Sequence, residues 1–144
     1  MPFDPNNVVV ALCVEGMSRE GAPEEARKLF EQAWEKRSDD FEAAIAAHYL
    51  ARHQLTASGT LHWNALAAAH AERVPGDGAK EMFASLYLNL ADSLVAAGRL
   101  DDARGAARKA SEHVVSLPND GYREFLTKGI ERIQSKLDAM NPVT

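Results

Sequence analysis

Apolar residues recur along this chain at intervals of three and four nearly from end to end, and no stretch sustains the alternation expected of a half-buried strand. The pattern predicts seven helices and no sheet. The first covers about Asn6 to Ser18. A second begins at Pro23, whose fixed φ suits a first helical turn, with Glu24 and Glu25 placed favourably for the helix dipole. Its apolar stripe is Ala26, Phe30, Ala33 and Trp34. Ser38, Asp39 and Asp40 stop it and cap a third helix, about Asp40 to His53, which carries Phe41, Ala44, Ile45, Tyr49 and Leu50. Thr56, Ser58 and Gly59 mark a turn before the fourth, about Thr60 to Arg73, with Leu61, Ala65, Leu66 and Ala69 on its apolar side. Val74-Pro75-Gly76-Asp77-Gly78 is the strongest break. The fifth helix, about Ala79 to Ala97, carries Met82, Phe83, Leu86, Tyr87, Leu90 and Leu94 and ends at Gly98. The sixth runs from about Leu100 to Ser116. The last, about Tyr122 to Met140, places Tyr122, Phe125, Ile130, Ile133 and Leu137 on one face, as a helix that closes a stack should.

One phrase occurs twice. Gly21, Ala26, Phe30 and Ala33 return 77 residues later as Gly98, Ala103, Ala107 and Ala110. Each copy is a turn glycine followed by a helix with small residues along one stripe, where a second helix can pack closely. Helix, short turn and helix with these marks resembles the tetratricopeptide repeat, a unit of about 34 residues. On that resemblance residues 7–40 form a first repeat, with Val10, Cys13, Val14 and Met17 where the family prefers Trp, Leu, Gly and Tyr. Residues 80–118 form a third, with Tyr87, Leu90, Ala91 and Leu94 in those places and Ala107 in the aromatic slot. Residues 41–79 form a degenerate second repeat, with insertions around Ser58 to Gly59 and Pro75 to Gly78, and 119–140 form a capping helix. The fold implied is all-α: a single domain in which about three helix pairs and a C-terminal capping helix make a right-handed α-α superhelix. VEGMSREG, LFEQAW, AAHYLARHQ and WNALA are similar to segments of short bacterial tetratricopeptide-like proteins. Some of that group carry an rRNA adenine methyltransferase label, but this chain has no strand, glycine-rich turn and acidic ribose contact of the kind that such an enzyme uses.

A chain of 144 residues can bury roughly 70% of its unfolded surface, enough for its own core. The net charge of −5, with no cluster of Lys and Arg, argues against nucleic acid. Cys13 is the only cysteine, which excludes an intramolecular disulfide and leaves a cysteine-based zinc site short of ligands. It sits in the apolar run VVVALCV, where a thiol reads as a small core residue. That run is too short for a membrane span, lacks a basic segment before it and is followed by Glu15, so the expectation is a cytoplasmic protein with no membrane partner.

A repeat scaffold is normally a surface for holding something. The function expected is a non-catalytic adaptor that binds a protein or peptide, in a concave groove lined by the first helix of each pair as the resemblance implies. The densest set of contact residues is HYLARH on the third helix. Tyr49 and His53 are four apart and share a face, as do His48 and Arg52. A phenol, a guanidinium and two imidazoles suit an acidic peptide or a C-terminal carboxylate. On the fifth helix the corresponding strip is Ser85, Asn89 and Asp92, and the resemblance implies that Asn89 hydrogen-bonds ligand backbone. Glu15 completes the set, either in the groove or as the ion partner of Arg52. The plainer alternative makes Tyr49 core and His48 a packing residue between helices. Trp34 and Trp63 read as core or as interface anchors. A different reading is a homodimer that buries exposed apolar surface of a terminal helix.

Five histidines raise the question of a metal. No HExxH and no i,i+4 pair of histidines occurs, and His48 and His53 are five apart, so no metal and no cofactor is expected. The acid pairs Glu24/Glu25, Asp39/Asp40 and Asp101/Asp102 lie at helix starts, where caps and dipole account for them. No nucleophile elbow or phosphate loop is present, and the chain does not read as an enzyme.

Overall fold

The computed structural model describes residues 4–140, and every regular element among them is helical. The helices are α1 (Val8–Ser18), α2 (Pro23–Glu35), α3 (Asp40–Ala51), α4 (Ala57–Arg73), α5 (Phe83–Ala96), α6 (Leu100–Val114) and α7 (Gly121–Met140), with a 3-10 turn at Lys80–Met82. The chain forms two compact units, one ending at Ala79 and the other beginning at Lys80. No helix among the described residues is long and apolar enough to cross a membrane.

In the first unit α1 pairs with α2 and α3 with α4, and α3 packs against both α1 and α2. The closest approach is made by a glycine. A Cβ on Gly16 would lie 2.4 Å from the Phe30 ring, so only glycine lets that ring press onto α1. Phe30 is fully buried and stacks on Tyr49 with centroids 5.2 Å apart, joining α1, α2 and α3 around one side chain. Its burial contributes about 2–3 kcal/mol. The inward arc of α1 is therefore Val9, Val10, Cys13 and Gly16. Of the four residues that the resemblance sets at the repeat's first-helix places, Val10 and Cys13 are buried while Val14 and Met17 are turned outward, because the ring seated on Gly16 fixes the rotation of the helix.

α3 and α4 pack closely on one another, and both are rich in buried alanine: Ala43, Ala44, Ala46 and Ala47 on α3 and Ala67, Ala68 and Ala71 on α4. Trp34 of α2 meets Trp63 of α4 edge-on at 4.9 Å, and Arg37 lies over the Trp34 ring at 3.7 Å. The fourth helix starts earlier than the turn residues suggest. Thr56 caps it by accepting from the Gly59 N–H at 3.0 Å, so Ser58 and Gly59 are its first turn. Poor helix formers are cheap there because the first N–H groups have no intrahelical partner anyway.

In the second unit α5 pairs with α6, and α7 packs on both. Ala91, Ala103, Ala107 and Ala110 are buried. Here too a glycine marks the crossing: a Cβ on Gly129 would lie 2.9 Å from Leu88 Cδ2. Leu126, Gly129, Ile130, Ile133 and Leu137 form the inward stripe of α7, and Arg104 of α6 donates to the Leu137 carbonyl at 3.1 Å. Tyr122 and Phe125 lie outside that stripe and are more than half exposed. Leu88 against Gly129 sets the helix rotation and turns Phe125 away, about 100° round from Leu126. The fifth helix begins at Phe83 rather than Ala79, its first residues forming the 3-10 turn.

Candidate functional site

Two polar links tie α1 to α3. At the first, Asn7 caps α1 by accepting from the Val10 N–H at 3.1 Å, and its Nδ2 donates to Glu42 Oε2 at 2.8 Å. The other Glu42 oxygen accepts from the Ser38 N–H at 2.8 Å and the Ser38 hydroxyl at 3.0 Å, while Asp39 caps α3 by accepting from the Glu42 N–H. Burial alone would raise the Glu42 carboxyl, but these hydrogen bonds outweigh it and hold the group below the usual carboxylate range.

At the second link Glu20, in the turn after α1, meets His53 Nε2 at 2.8 Å and Arg52 Nε at 3.1 Å through the same oxygen. A carboxylate only accepts, so the His53 proton sits on Nε2. The linked residues are 35 and 33 positions apart. Start is tied to start and end to end, so α1 and α3 lie side by side and run in the same direction.

Most of α3 is buried; the side chains left open are Asp40, which pairs with His70 at 2.8 Å, and a row of Phe41, His48 and, beyond the helix end, Arg52. Phe41 and His48 are half-buried and Arg52 is exposed. Burial, reinforced by the positive charge of Arg52 and opposed by Glu20, pushes the His48 imidazole down to about 4, so it is neutral at neutral pH. Its Nδ1 is sealed from solvent without a hydrogen-bond partner. The ring stands edge-on to Tyr49 at 4.8 Å.

Of the residues singled out from the sequence, Arg52 and His53 come together on Glu20, and His48 lies one turn before Arg52, edge-on to Tyr49. Tyr49 belongs to the core under Phe30, with the Arg52 guanidinium 5.9 Å from its ring centroid. Glu15 is exposed and pairs with Arg19 at 3.7 Å, while Arg52 takes Glu20. Physical reach explains the exchange: Glu20 sits in the turn at the end of α1 that α3 also reaches, and Glu15 points along the outer side of α1. Asn89 and Asp92 lie on α5 in the second unit. Asn89 is half-buried, its carbonyl accepting from the Ser93 hydroxyl at 3.0 Å, and Asp92 is exposed. Sequence reasoning passed over Glu20, although its spacing of 33 residues from His53, close to the unit length that the resemblance implies, was a signal that could have found it.

Burial raises the Cys13 thiol to about 12, which leaves it protonated and a poor nucleophile. Among the described residues no group of three or more His, Cys, Asp or Glu side chains could hold a metal ion. The chain matches no family model, no curated protein and no solved structure.

Proposed function

We propose that this protein is a non-catalytic binding module of tetratricopeptide-like helix pairs, stacked in the right-handed sense, that holds a carboxylate-bearing peptide along the row Phe41, His48 and Arg52. The repeat reading draws support from the two links between α1 and α3, whose spacings of 35 and 33 bracket the tetratricopeptide period of about 34. In such stacks the first helices of the pairs form the inner, ligand-bearing face.

The observation that carries the binding reading is the row itself. Apart from Asp40, which is taken by His70, the side chains left open on this otherwise packed helix and just beyond its end are an aromatic ring, a neutral imidazole and a guanidinium. The guanidinium is held by Glu20 in a contact whose Arg52 side is 53% exposed. Exposed pairs of this kind are worth at most about 1 kcal/mol, so a ligand carboxylate can compete for Arg52.

The test is fluorescence anisotropy with a library of labelled acidic peptides, each made with a free and an amidated C-terminus. Binding that drops at least about tenfold in Arg52→Ala, with the helical circular dichroism unchanged, supports the proposal. Equal binding by the variant rejects it. Calorimetric binding of S-adenosylmethionine would replace it with an enzymatic reading.

A further inference from the structure

The guanidinium at the end of the α3 row already carries an acid of the protein's own. Glu20 stands in the turn between α1 and α2, and a single oxygen, Oε2, meets both His53 Nε2 at 2.8 Å and Arg52 Nε at 3.1 Å. The two contacts are unequal. The His53 side chain is 10% exposed and lies against the Phe30 ring with centroids 5.4 Å apart, so it anchors the carboxylate to the core. Arg52 follows the last turn of α3 and keeps about half of its side chain in water.

We infer that Glu20 is an internal stand-in for the ligand carboxylate, an autoinhibitory contact that a peptide displaces from Arg52 when it binds. This role rests on the peptide-binding reading of the α3 row and adds a competitor to it. Glu20 presents the group that the row is suited to hold, at the guanidinium that holds it. Its oxygen keeps the His53 N–H when Arg52 turns away, so the exchange moves one exposed side chain and leaves the carboxylate hydrogen-bonded. An acid of the same chain gives up no translational freedom on meeting Arg52, so it occupies the guanidinium in the free protein although an exposed pair is weak. Once Arg52 has turned to the ligand, the charge left on Glu20 repels the incoming carboxylate and opposes binding further.

The test uses fluorescein-labelled hexaglutamate, followed by anisotropy at about 0.15 M salt, where the screening length is about 8 Å. Glu20→Gln keeps an oxygen for the His53 N–H and removes the charge. It should bind the probe about two- to fivefold more tightly than the parent, the range that an exposed pair allows. Glu20→Ala, which gives up the His53 bond as well, should show the same gain. Any loss of negative charge favours an acidic peptide, so Glu15→Gln is the control: Glu15 is exposed, lies in the last turn of α1 and pairs with Arg19 instead. Its effect should be much smaller than that of Glu20→Gln. In an Arg52→Ala background the gain from Glu20→Gln should shrink to that of the control, as a double-mutant cycle requires of a contact made through Arg52. Helical circular dichroism, read on every variant, checks that the fold is kept.

Unchanged or weaker binding by Glu20→Gln, or a gain that persists in full without Arg52, overturns the stand-in role. The weaker case would make Glu20 a residue that positions Arg52 for the ligand. Absence of binding by the parent and by Glu20→Gln alike overturns the role too, while the peptide-binding reading is judged on the whole peptide library. Loss of binding in Arg52→Ala with no gain in Glu20→Gln rejects the stand-in role alone. Equal binding of every peptide by Arg52→Ala and the parent rejects both.

Discussion

The α1–α2 hairpin of the first unit and the α5–α6 hairpin of the second fill the same kind of space from opposite arms. At the offset of 77 residues that relates their turn glycines, Gly16 and Phe30 correspond to Ser93 and Ala107, while Val10 and Met17 correspond to Tyr87 and Leu94. The first hairpin keeps its bulk on the second helix, where Phe30 lies on a bare glycine. The second keeps it on the first helix, where Tyr87 and Leu94 are buried and the Phe30 position shrinks to a buried alanine. What two paired helices must match is total volume at close packing, and either helix can supply it. The largest expected effect follows directly. Phe30→Ala should cost about 3–5 kcal/mol in urea unfolding, and adding Gly16→Val should recover part of that loss. Ala107→Phe should cost about 1–3 kcal/mol by overpacking. A Phe30→Ala loss under about 1 kcal/mol would mean that the first hairpin is not built on this side chain.

The same contrast explains what could be read in advance. Seven helices follow from spacing and caps, and the structure has them with ends shifted by a few residues. Helix rotation is harder wherever the sequence is apolar all round. VVVALCV offers no polar face to point outward, so the direction of α1 is set by one long-range contact, Phe30 on Gly16. α7 repeats the lesson, since Gly129 reads as a weak helix former but marks the crossing with Leu88 and thereby exposes Tyr122 and Phe125. The HYLARH cluster was legible because i,i+4 spacing is local. Its partner Glu20 was not, because an acid in an exposed-looking turn gains meaning only when a second helix arrives beside it.

Acid should separate the two units. His48 and Glu42 both belong to the first. For His48 the folded value, about 4, lies below the ordinary 6.5, so the unfolded chain takes up the proton first. Its contribution is complete above pH 6.5 and is lost as pH falls toward 4, by up to about 1.4 kcal/mol per pH unit. Glu42 is also depressed, so its contribution is present above its ordinary 4.5 and lost as pH falls through the lower folded value. Both tryptophans, Trp34 and Trp63, lie in the first unit, so their fluorescence reports that unit while circular dichroism reports both. The tryptophan-detected midpoint in urea should fall between pH 6.5 and 4 in the parent and much less in His48→Leu. A slope of the same size in the variant would assign the acid sensitivity elsewhere. Glu42→Ala should lower stability by about 1–3 kcal/mol at neutral pH, because Asn7 and Ser38 lose their acceptor.

The smallest effect tests the two glycines that first suggested a repeat. Gly98 has φ 76° and ends α5 in a Schellman arrangement, its own N–H bonding the Val95 carbonyl at 3.0 Å and the Arg99 N–H bonding the Leu94 carbonyl at 2.9 Å. An L side chain there is strained. The α1–α2 turn is made differently, by successive short bonds from Arg19 to Gly16, Glu20 to Met17 and Ala22 to Arg19, and Gly21 has no positive φ. A Cβ on Gly21 would meet nothing within 4 Å. Gly98→Ala should therefore cost about 1–2 kcal/mol and lower the thermal midpoint by several degrees, while Gly21→Ala should be neutral or stabilise by up to about 1 kcal/mol through the unfolded chain. Equal losses at the two sites would restore the sequence view that both turns need their glycine for the same reason. Unequal losses would place the constraint in the second hairpin alone, where the chain must enter the left-handed region to leave the helix.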